Sequence, residues 1–138
     1  MALNLSLVHQ RFRDIRDSLD RLDVIAQQPL EVFLADQDMR DVASYRLLIA
    51  IEAAIQLCFH VSAHRVQRVP EGYADCFALL GEAGVVPEEL SRRLQQMARF
   101  RNMLVHVYWD VDYERIYTML QENLDDLRAF VQALGELL

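Results

Sequence analysis

The segment from Arg101 to Tyr108, RNMLVHVY, sets a guanidinium, a carboxamide, an imidazole and a phenol within about two helical turns. On a helix Asn102 and His106, four apart, share a face about 100–140° round from Arg101, and Tyr108 nearly aligns with Arg101. An arginine can fork two donors onto an anion, and an imidazole with an ordinary pKa of about 6.5 passes a proton at neutral pH. The amide and the phenol can orient either partner. Arg101 also breaks a pattern: it sits in the stripe Leu90, Leu94, Met97, Arg101, Leu104, Tyr108, where the spacing asks for an apolar side chain. Burying an unpaired cation is costly. Arg101 therefore reaches an internal acid such as Glu52, snorkels to the surface, or lines a cleft that receives an anion. The plain alternatives are a structurally satisfied His106 and a half-buried Tyr108 with its hydroxyl on solvent.

Charge sharpens the question. The 138-residue chain carries a net −7, yet Leu90 to Trp109 holds Arg92, Arg93, Arg99 and Arg101 with no acid, a +4 window that leaves the remainder at −11. Such a strip can grip phosphate while the acidic remainder discourages indiscriminate polyanion binding; a solvated helix face balanced by acids elsewhere would look the same. All 14 basic side chains other than histidine are arginine, each a permanently charged planar fork.

The elements that must carry these residues read as helices. Leu5, Val8, Phe12, Ile15, Leu19, Leu22 and Ala26 keep a three–four spacing, predicting an amphipathic helix that stops before Pro29. A short helical piece follows over Leu30 to Ala35, with Asp36 or Asp38 as the next cap. The second long helix is expected from about Met39 to Arg65; its centre is apolar nearly all round apart from Glu52, Gln56 and His60, so it needs partners on several sides, a second copy of the chain among them. Gly72 to Ala83 reads as a short helix. Pro87 suits a first helical position before Glu88 and Glu89, and a final helix from Asp112 carries Tyr113, Ile116, Leu120, Leu124, Leu127, Val131 and Leu134. The expected fold is a single all-α domain over 1–138, an up-and-down bundle of four main helices plus a short one.

Other constellations carry less. His60 and His64 have helical metal-ligand spacing without an evident third ligand, and no metal or other cofactor is expected. Asp14, Asp17, Asp20, Asp23 and the Asp125–Asp126 pair read as solvated faces. Cys58 and Cys76 read as buried thiols of a reducing cytoplasm. Neither a secretory leader nor a membrane span of about 18 charge-free apolar residues is expected, so the expected location is cytoplasmic.

Arg101-x4-His106-x-Tyr108, with Asn102 after the arginine, resembles the Rx4HxY motif of HEPN-domain proteins, most nearly the HepT-type toxins of HEPN–MNT modules. The resemblance spans about Val8 to Leu134 and extends to YRLLIAIE (Tyr45 to Glu52), the Val69–Pro70…Tyr73 step and VVPEEL before the arginine-bearing helix, with no departure at the motif positions. It implies a homodimeric, metal-independent endoribonuclease, the toxin of a type VII-like toxin–antitoxin module, with the motifs of two subunits meeting in a cleft. Arg101, Asn102 and His106 would then be catalytic, Tyr108 and Arg99 would contact RNA, and Tyr108 would accept adenylyl groups from a nucleotidyltransferase antitoxin. A competing expectation is a non-catalytic all-α subunit that docks a nucleotidyltransferase and presents its substrate; a third is a purely structural dimer.

Overall fold

The spacing of apolar residues in the first segment produces one long face. In the computed structural model, which describes residues 3–106 and 111–138, helix α1 (Leu5–Ala26) buries Val8, Phe12, Ile15, Leu19, Leu22 and Ile25. Each such side chain withdrawn from water contributes about 1.5–3 kcal/mol. The Asn4 side chain caps α1 by accepting the Leu7 N–H at 3.2 Å. After Pro29 comes α2 (Leu30–Ala35), whose buried Phe33 packs at 5.4 Å on the Tyr117 ring.

Helix α3 (Gln37–Val61) starts where Asp36 accepts the Met39 N–H at 3.0 Å. It runs antiparallel to α1: Val24 and Ile25 lie by Met39 and Val42, and the Asn4 N–H donates to His60 Nε2 at 2.9 Å. Ten of its side chains are buried. By length and composition, Gln37–Val66 could cross a membrane; half of its most apolar window is buried against the other helices, as in the core helix of a helical domain. A π-helical turn (Ser62–Val66) closes α3, and Gln67 takes the left-handed conformation at φ 61°.

Helix α4 (Tyr73–Glu82) lies tight against α5 (Glu88–His106). A Cβ on Gly81 would fall 2.6 Å from Ser91 Oγ, so only glycine admits this approach. Ser91 Oγ donates to the Phe77 carbonyl at 2.8 Å across the same crossing. At the start of α5 the Pro87 carbonyl accepts the Ser91 N–H at 2.9 Å, with Glu88 and Glu89 in the first turn.

Three expectations need correction. The final helix is two, α6 (Tyr113–Glu122, capped by Asp112) and α7 (Leu124–Gly135). Asn123 breaks it at φ −118°, ψ −3°, and its side-chain amide donates to the Asp126 carboxylate at 3.0 Å. Asp126 is consequently buried at the start of α7 rather than solvated. Cys58 and Cys76 are buried as expected, but they are bonded to each other rather than free, because α3 and α4 bring their Cα atoms to 6.1 Å. Among the described residues there is no strand. The described residues form seven α-helices and one π-helical turn, with the apolar α3 packed against α1, α4 and α5.

Candidate active site

Arg101 lies four turns into α5, on the side that faces α3 and the first turn of α4. Its Nε donates to Glu52 Oε1 at 2.5 Å, and the ring of Tyr73 covers the guanidinium with its centroid 5.0 Å from Cζ. Phe59 abuts the Tyr73 ring edge-to-face at 5.9 Å, so three helices stack as Phe59, Tyr73, Arg101, with Glu52 closing the side. The Arg101 side chain is 17% exposed and that of Glu52 30%. Neither terminal nitrogen of Arg101 meets a hydrogen-bond partner among the described residues. Of the three expectations for this cation, the internal acid is thus present, yet it takes only the Nε–H. Among the described residues, four of the five donors of the fork are left over. A partly exposed pair of this kind is worth about 1 kcal/mol or less. Its effect is on orientation more than on stability.

The remaining expected site residues are placed as follows. Asn102, next to Arg101, is exposed, and so is Arg99. His106 is the last residue of α5, and Tyr108 lies outside the described residues. The +4 strip is largely neutralised in space. Arg92 pairs with Glu88 at 3.0 Å, Arg93 with Glu89 at 3.2 Å and Asp126 at 3.5 Å, and Arg101 with Glu52. The acids come from just before the window and from α3 and α7, which a sliding count of charge does not see. Arg99 is the one arginine of the strip without an ion pair among the described residues.

Tyr73 was visible in the sequence only within a flanking block, and nothing there pointed it at Arg101. Glu52 had a clearer signal: it opens the polar stripe Glu52–Gln56–His60 in the otherwise apolar centre of its helix. Further along that stripe His60 and His64 lie ring-to-ring at 4.4 Å. Burial, and then the neighbouring His64, hold the His60 pKa below its ordinary 6.5. Among the described residues no group of three His, Cys, Asp or Glu side chains could hold a metal ion.

The family model described as ribonuclease HepT-like matches residues 15–134, nearly the whole chain. The chain belongs to the HepT-like ribonuclease family. This HepT-like chain is 26% identical over 102 residues to the mRNA nuclease HepT of Shewanella oneidensis, covering 74% of this chain and 77% of that protein. It is 21% identical over 132 residues to the tRNA nuclease HepT of Aphanizomenon flos-aquae, covering 96% and 90%. Its fold superposes with a TM-score of 0.86 on the tri-AMPylated Shewanella oneidensis HEPN toxin solved in complex with MNT antitoxin, at 22% identity over 94% of this chain and 97% of that one. In this HepT-like chain Arg101 lies on α5, half-buried against α3 and the start of α4 rather than on a loose surface strip.

Proposed function

We propose that this protein is the toxin of a HEPN–MNT toxin–antitoxin module, an endoribonuclease that cleaves RNA without a metal ion. The observation that carries the reading is the half-buried Arg101, tethered by Nε alone and ending in two nitrogens with no partner among the described residues. That is the arrangement of an anion receptor. RNA brings its own nucleophile, so the protein has to supply only proton transfer and charge stabilisation at phosphorus. The 2′-oxygen attacks the adjacent phosphorus and gives its proton to a base; the O5′–P bond breaks and the leaving O5′ takes a proton from an acid. A 2′,3′-cyclic phosphate and a 5′-hydroxyl result. His106 serves as base and then acid, or two copies of His106 divide those roles. Arg101 binds the non-bridging oxygens, Asn102 orients phosphate or imidazole, and Arg99 and Tyr108 contact the strand.

A homodimer is supported by α3: half of its most apolar window is not fully buried in the single chain, and Val42 and Tyr45 are 38% and 60% exposed. Two such faces packed together would bring two motifs to one cleft. In this reading the partner is a nucleotidyltransferase that places adenylyl groups on Tyr108, adding bulk and negative charge in an anion-binding cleft and so excluding RNA. The relatives named for different RNAs, mRNA in one and tRNA in the other, leave the substrate at the level of RNA.

The test is incubation of purified protein with RNA in excess chelator, alongside Arg101→Ala and His106→Ala. Cleavage by the wild type that both variants lose supports the reading. Equal inertness of all three favours a non-catalytic subunit that docks a nucleotidyltransferase. Intact mass after co-expression with the cognate nucleotidyltransferase reads the Tyr108 modification, which Tyr108→Phe should abolish.

A further inference from the structure

Glu52 is a carboxylate among apolar neighbours: Ala50, Ile51, Ala53, Ala54 and Ile55 are all buried, in the apolar second half of α3. A partly exposed ion pair contributes about 1 kcal/mol or less, so stability alone does not account for a carboxylate there. Glu52 heads the polar stripe Glu52–Gln56–His60 on this apolar half, and departures from local rules in a consistent frame concentrate at functional sites. The atom it contacts matters more than the charge it carries. Glu52 takes the Nε–H of Arg101, the donor nearest the side-chain stem, and Tyr73 lies over the guanidinium face.

We propose that Glu52 is a positioning residue for RNA cleavage, acting through Arg101. The carboxylate fixes the rotation of the guanidinium in its own plane, the Tyr73 ring fixes the tilt of that plane, and the two terminal nitrogens are left to receive a non-bridging pair of phosphate oxygens. This rests on the ribonuclease reading above. A carboxylate close to a phosphate weakens ground-state attraction, so its benefit lies in the transition state: a fork already aimed needs no reorganisation when charge develops on phosphorus. Phe59 backs Tyr73 edge-on from α3, the same helix that bears Glu52, so one rigid element sets both restraints. What the contact requires is an acceptor at Oε1, and a carboxamide oxygen can serve equally.

The experiment compares Glu52→Ala and Glu52→Gln in RNA cleavage, with kcat and KM read separately and folding checked by thermal melts. The proposal expects Glu52→Ala to lose kcat by about 10²-fold, the scale of an active-site group mispositioned by an ångström, with KM unchanged or lowered. Glu52→Gln should recover most of that loss. In an Arg101→Ala background, Glu52→Ala should add nothing, because its effect runs through the missing guanidinium. Wild-type kcat in Glu52→Ala, or an equal loss in Glu52→Gln, overturns it. If the wild type itself fails to cleave RNA, the ribonuclease reading falls, and binding of an uncleavable 2′-deoxy oligonucleotide tests the placement instead. Weakened binding in Glu52→Ala but not in Glu52→Gln, again absent without Arg101, then supports the positioning of Arg101 by Glu52. Unchanged binding, or no binding by the wild type, overturns that too.

Discussion

Reduction of the Cys58–Cys76 bond should lower stability while leaving the site intact. The bond closes a loop of sequence separation 18 between the last turns of α3 and the first turn of α4. Chain-entropy reasoning gives about 3 kcal/mol for a loop of that size. For a domain of this length that corresponds to a fall in melting temperature on the order of 10 °C. Helix α4 also has non-covalent anchors: Phe77, Leu79 and Leu80 are buried, and Ser62 Oγ lies 3.4 Å from Cys76 Sγ. Tyr73, one turn before Cys76, should therefore stay over Arg101 once the bond is gone, and cleavage well below the melt should be unchanged. The assay is thermal unfolding by circular dichroism with and without reductant, next to a Cys58→Ala, Cys76→Ala double variant. Thiols are titrated in denaturant after purification without reductant. No titratable thiol, a large reductant-dependent shift, and no such shift in the double variant are expected. Two free thiols, with reductant acting equally on both proteins, would refute the reasoning.

Gly81→Ala should destabilise the protein by about 1–3 kcal/mol through overpacking against Ser91, despite the better helix propensity of alanine. Chemical denaturation would read this, and Ser91→Gly should relieve the clash. The depressed pKa of His60 means that the unfolded chain binds the proton more readily than the folded one. Stability should thus be full above the ordinary value near 6.5 and decline as pH falls below it, a slope that His60→Asn should flatten in melts between about pH 5 and 7. Arg99→Ala should raise KM for RNA and reduce the salt dependence of binding by about one unit of log–log slope, with kcat unaffected; a fall in kcat alone would move Arg99 from strand contact to chemistry.

The frame of the fold was legible because local signals and tertiary burial agree. The α1 stripe, the bounds of α2, the Asp36 cap and the Pro87–Glu88–Glu89 start of α5 all follow from spacing and cap chemistry within one element. What was not legible depends on distant partners. The last helix splits at Asn123, a break that hydrophobic spacing continuing unbroken through Leu120, Leu124 and Leu127 conceals. The cysteine bond and the Tyr73 cover on Arg101 both require the approach of α4 to its neighbours, which no local pattern encodes. In sequence the basic strip reads as either a phosphate grip or a face balanced by acids elsewhere, and its counter-charges, which include Glu52, 49 residues away, and Asp126 on α7, follow the second. Arg101 itself was legible as an anomaly, one cation in an apolar stripe, and Glu52 as the acid able to meet it.

The most direct measurement of the central claim uses the substrate. An RNA oligonucleotide with a mapped cleavage position is compared with one carrying a single 2′-deoxy sugar immediately 5′ to the scissile phosphate, in chelator, and product ends are identified by mass. The account predicts that the RNA yields a 2′,3′-cyclic phosphate and a 5′-hydroxyl and that the deoxy substitution abolishes cleavage at that position. Cleavage of the deoxy-substituted strand at the same place and rate would contradict it.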